Sequence, residues 1–195
     1  MCLLDVLVCV EGERMSYVDR SETKMYSAGA LFAVGGGYFM SRVVGAVAWI
    51  PMLVGFAAFA LLKKSTDRNV AVLAALAAII AQTAWFLVGA IAVPAQASTV
   101  LLDIVVNSIL IAAIYLKPGY VSAGFALLWN VLGVVMTGLM LSATSGDGLS
   151  ADQRALLAHI ILRGIIVLAS AAIMIFKAHP DLLPESEEEE EPMYS

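Results

Sequence analysis

The chain has 195 residues, 61% of them hydrophobic and only 14% charged, against roughly 25% charged in an average soluble domain, which excludes a water-soluble globule. Its net charge of −5 misleads, because seven of the sixteen acids (Asp181, Glu185 and Glu187 to Glu191) crowd into the C-terminal tail and leave a slightly basic body. The two cysteines, Cys2 and Cys9, both precede Met15, so no disulfide framework, zinc site or Cys-x-x-Cys redox motif can be built from them.

Residues 1–38 read as an N-terminal segment. Glu11-Gly12-Glu13 requires purine-rich codons of the kind that precede a bacterial start, so translation is expected to begin at Met15, with residues 1–14 not translated. Met1 to Val10 has neither the basic start nor the long apolar core of a signal peptide. Ser27 to Leu62 is then apolar except for Arg42, longer than the roughly 20 residues a bilayer requires. Gly35-Gly36-Gly37 is expected to divide it, since each glycine costs about 1 kcal/mol in a helix interior. That division gives an interfacial or re-entrant helix over 25–34 and a first span over 39–62. In that span Arg42 snorkels to the interface and Pro51 kinks the helix. The competing arrangement is two short spans turning near Arg42, six in all.

Residues 39–178 form the membrane bundle in this reading. Lys63 to Asn69 is the most basic loop. Val70 to Val93 is the second span, closed by Pro94; Ser98 to Leu116 is the third; and Pro118-Gly119 turns the chain into the fourth, Tyr120 to Leu141. Ser150-Ala151-Asp152-Gln153 has the form of a capping box and opens the fifth span, which is stopped near His179-Pro180. The fold class is therefore all-α: a polytopic bundle of five transmembrane helices, preceded by the interfacial helix. Spans 2–3 and 4–5 also carry a weak duplication, Gln82 with Trp85 matching Asn130 with Trp129; parallel repeats of this kind occur in transporters.

Lys63, Lys64, Arg68, Lys117 and Lys177 fall on one side of a five-span chain, which places that side in the cytoplasm of a bacterial inner membrane. The tail, residues 179–195, is then cytoplasmic; it cannot bury a core and is expected to be disordered. It serves as a solubilising spacer or as a docking segment for a basic partner.

The chemistry of interest lies inside the spans. Asp103 stands fourteen residues before Lys117, and Arg163 fourteen before Lys177. At about 1.5 Å per residue, both sit roughly 21 Å from the cytoplasmic boundary on helices of the same direction. They are natural partners, since a lone ion in hydrocarbon costs about 2.5–3.5 kcal/mol on insertion scales. Asn107 lies one turn from Asp103, His159 one turn from Arg163, and Gln82 and Asn130 near the middles of the second and fourth spans. The six form a polar seam that serves either as structural glue between helices or as a proton or ion site.

No zinc-protease, phosphate-loop or nucleophile-elbow motif is present, and no catalytic, cofactor or metal residues are assigned. Nucleic-acid binding is disfavoured by the shortness of the basic cluster. The expected function is a non-catalytic subunit or scaffold of a membrane complex, in contact with the bilayer and a membrane-protein partner. The alternative is a small proton- or ion-coupled transporter working through the seam.

Overall fold

A computed structural model of the chain describes residues 26–27, 31, 34–38, 41–42, 49–66, 68–92, 94, 97–143 and 150–179. The described residues are helical throughout, apart from turns, with no strand among them. The chain is an all-α polytopic membrane bundle. Among the described residues its long helices are α1 (Trp49–Ser65), α2 (Val70–Ala92), α3 (Ala97–Leu116), α4 (Tyr120–Ala143) and α5 (Ala151–Ala178). Of these, α2 to α5 are long and apolar enough to cross a membrane. The expected start at Met15 and the acidic tail from Pro180 onward lie outside the described residues.

Local chemistry sets the helix ends. The capping box of α5 is complete: the Ser150 hydroxyl accepts from the Gln153 amide at 3.2 Å, and the Gln153 side chain accepts from the Ser150 amide at 2.8 Å. Two donors that a helix start leaves unsatisfied are thereby paired. At the start of α2, the Asn69 side chain accepts from the Ala71 amide at 2.8 Å. In the α3–α4 turn the Ser122 hydroxyl accepts from the Gly119 amide and donates to the Lys117 carbonyl, which holds the Pro118-Gly119 reversal closed.

One expectation for the first span needs correction. Residues 34–38 are helical straight through Gly35, Gly36 and Gly37, so the glycines do not divide the segment there. Gly37 instead lies beneath the Trp49 ring, where a Cβ would come within 2.8 Å of the indole. Pro51 lies within α1 and is buried.

The bundle is organised around α2. Over its most apolar stretch α2 is 56% buried, against 33% for α5 and 17% for α3 and α4. Helix α2 packs against α1, α3 and α5, and α4 packs closely on α5. Helices α3 and α4 meet only sparsely, and α1 scarcely touches α5. The hairpins α2–α3 and α4–α5 are therefore not equivalently placed, since α2 is central and α4 peripheral. Toward the end that carries the lysines, the interior is mainly apolar, although the Ser170 hydroxyl is fully buried there without a hydrogen-bond partner. Leu73, Leu76, Ile79, Ile114, Ala123, Ala126 and Ile166 are essentially inaccessible. At that same end the Arg68 guanidinium lies over the Tyr115 ring and the Lys177 ammonium over the Tyr120 ring.

Candidate functional site: a polar layer in the membrane

Above this core, one layer gathers the polar side chains of α2, α3 and α5. Arg163 Nη2 donates to Asp103 Oδ1 at 2.7 Å, joining α5 to α3. The arginine is almost completely buried, and the carboxylate side chain keeps 19% of its surface accessible. Pairing suits this depth because neither ion finds water in the bilayer. One turn along, Asn107 Nδ2 donates to Gln82 Oε1 at 3.3 Å, tying α3 to α2 with both residues fully buried.

The other two predicted members behave differently. His159 makes no hydrogen bond to Arg163 or Asp103. Its imidazole stacks on Phe86 with ring centroids 5.0 Å apart, and meets Trp85 edge-on at 6.1 Å. The Arg163 guanidinium also faces Phe86, at 5.7 Å from the ring centroid, within the range of a cation–π attraction. Phe86 thus couples the histidine to the arginine through its ring. Asn130 turns back on its own helix, its Nδ2 donating to the Ala126 carbonyl at 2.9 Å; it is fully buried but bonds to no other member of the layer.

Gly133 is the component that residue type alone did not single out. A Cβ built there would overlap the guanidinium of Arg163, so in this arrangement the arginine lies against bare backbone of α4. Gly133 is fourteen residues after Gly119, at the depth of Asp103 and Arg163 counted from the same boundary. That register was available in the sequence as a signal; the side of α4 on which it faces was not.

Beside the ion pair, the sparse contact of α3 with α4 leaves a crevice of about 170 Å³, lined by Thr99, Leu102, Asp103, Trp129, Gly133 and Arg163 among others. Several buried polar atoms nearby lack a hydrogen-bond partner: Arg163 Nε and Nη1, Trp129 Nε1, Gln82 Nε2, Asn107 Oδ1 and His159 Nδ1. Buried polar groups of this kind are ordinarily satisfied by protein or ordered water. Among the described residues no group of three or more His, Cys, Asp or Glu side chains could hold a metal ion. No protein-family model, curated protein or solved structure matches the chain.

Proposed function

We propose that this multi-pass membrane protein is a non-catalytic subunit or scaffold of a membrane complex, in which the polar layer fixes the helix arrangement. The observation that carries this reading is the mainly apolar core below the layer, whose one fully buried polar side chain on α5 is Ser170. Leu73, Leu76, Ile79, Ile114 and Ile166, all fully buried, separate the Asp103–Arg163 pair from the lysine-bearing end. A solute or proton path would need polar groups or water on both sides of the layer. The ion pair instead spans a gap between α3 and α5, two helices that scarcely pack otherwise. The peripheral helices α3 and α4 offer broad apolar faces, such as Phe125, Leu128 and Leu132 on α4, for a partner membrane protein. The distribution of lysines favours a bacterial inner membrane with the acidic tail in the cytoplasm.

A second reading, a small ion-linked transporter, is favoured by one feature: Asp103 and Arg163 line a crevice and leave buried donors unpaired. Mild-detergent purification and liposome assays separate the two. The subunit reading expects a larger membrane protein to co-purify at constant stoichiometry, and to be lost from Leu128→Trp/Leu132→Trp protein that remains folded. Flux of protons or ions driven by the purified chain alone, abolished by Asp103→Asn, would replace it with the transporter reading.

A further inference from the structure

A second crevice lies on different faces of α2 and α5, where α1 and α5 both rest on α2 but scarcely on each other. Its volume is about 280 Å³ and its lining is almost wholly apolar, including Met52, Phe56, Phe59, Ala74, Ala78 and Ile165. At Gly55, α1 lies close enough to α2 that a Cβ would meet the Ala81 methyl at 3.1 Å, while the short alanines Ala74, Ala77 and Ala78 of α2 line the gap beside that contact. The size falls just below the roughly 300–1,000 Å³ of small-molecule pockets, which suits a narrow chain better than a folded ligand.

Met52, Phe56 and Phe59 occur at spacings of four and three, so they form one stripe along α1. Lys63, four residues after Phe59, continues that stripe, and Lys64 follows it. Along the helix axis the crevice extends from about 6 to about 18 Å beyond Lys63, counted from Phe59 to Pro51 at about 1.5 Å per residue. One leaflet of hydrocarbon is about 15 Å deep, half of a roughly 30 Å core. The dimensions and the charge order thus match a single phospholipid standing in its own leaflet.

We infer that the crevice between α1, α2 and α5 is a specific site for an anionic phospholipid, with one acyl chain lying along Phe59, Phe56 and Ala78 and the phosphate at Lys63 and Lys64. The apolar wall supplies shape and the lysines select charge, since basic residues at the membrane surface attract anionic headgroups. The site does not depend on which side of the membrane the lysines face, nor on the role of the polar layer.

The test is native mass spectrometry of the full-length chain, transferred from detergent micelles doped with either phosphatidylglycerol or phosphatidylcholine. The expected result is one phosphatidylglycerol held per chain in preference to phosphatidylcholine. Ala78→Phe should abolish the retained lipid by filling the crevice. Lys63→Gln, at the end of α1 and outside the core, should weaken retention roughly fivefold and erase the preference for the anionic lipid. Equal retention of both lipids, retention of neither, or an unchanged lipid adduct in Lys63→Gln would overturn the inference. So would a dimer whose contact seats a second copy in the crevice, detected by cross-linking through a cysteine placed at Phe56.

Discussion

The crevice between α3 and α4 and the crevice between α1 and α5 flank the same central helices, yet they are held open by opposite means. The first contains an ion pair whose members must find each other. Arg163 reaches Asp103 at 2.7 Å over the bare backbone of Gly133, and its guanidinium lies 5.7 Å from the Phe86 ring. The second is open because alanines, with Gly55, stop short of filling it. A gap between charged groups is geometrically over-determined, since any displacement strands an ion. A gap between alanines is bounded only by van der Waals contact, so its walls can give. Perturbing the first should therefore be costly and perturbing the second cheap, although the second is the larger.

The largest effect is expected from the ion pair. Arg163→Ala leaves Asp103 alone in hydrocarbon, and Asp103→Ala leaves the arginine. Breaking a buried pair from one side costs about 3–5 kcal/mol, a large fraction of the roughly 5–15 kcal/mol that holds a typical domain folded. Each single variant should lose most of its monodisperse peak in fluorescence-detected size-exclusion chromatography. The double variant should recover much of it, because removing both charges leaves no unpaired ion. Recovery would identify the pair as architecture. Two singles as stable as the parent chain would show that water reaches the crevice and screens the pair, and the contrast between the two crevices would collapse.

Gly133→Ala tests the same region without touching a charge. The added methyl must displace the guanidinium or push α4 away from α5, and overpacking of this kind costs about 1–3 kcal/mol. The thermal midpoint in detergent should fall. The loss should be much smaller in an Arg163→Ala/Asp103→Ala background, where nothing lies over the glycine. An equal loss in both backgrounds would mean that Gly133 matters for the α4–α5 contact and not for seating the arginine.

These features differ in how far the sequence revealed them. The pairing of Asp103 with Arg163 was legible because depth in a membrane helix follows from a fixed rise per residue. Both charges stand fourteen residues before a lysine at the same boundary, on helices running the same way. The end of α5 opened by Ser150 and Gln153 was legible for a similar reason, as a cap is a local hydrogen-bond pattern. Depth, however, says nothing about the direction a side chain takes around its helix. His159 shares Arg163's level within one turn, yet it nests between Trp85 and Phe86; Asn130 finds its acceptor on its own helix, at the Ala126 carbonyl. The three consecutive glycines misled because their cost is an average over helix interiors. Here Gly37 lies directly beneath Trp49, where a larger residue would clash. The α1–α5 crevice left no trace in the sequence, because an alanine that lets helices pack and an alanine that leaves a void have the same letter.

The smallest expected effect is the one that completes the contrast. Ala78→Leu should add three carbons to the α1–α5 crevice, whose roughly 280 Å³ has room for them without moving backbone. Filling a void recovers dispersion contacts that the empty wall lacks, and it removes more apolar surface from lipid or water. The side-chain entropy of an ordered leucine, about 0.5–1 kcal/mol, opposes that gain. The net change in lipid-free detergent should be within about 0.5 kcal/mol of zero, read as a thermal midpoint close to that of the parent chain. The same substitution made in protein carrying a bound phospholipid should lower the midpoint instead, because the leucine and the acyl chain compete for one space. A large loss in lipid-free protein would show that the alanine wall is as rigidly specified as the ion pair, and the distinction between the two crevices would then rest on charge alone.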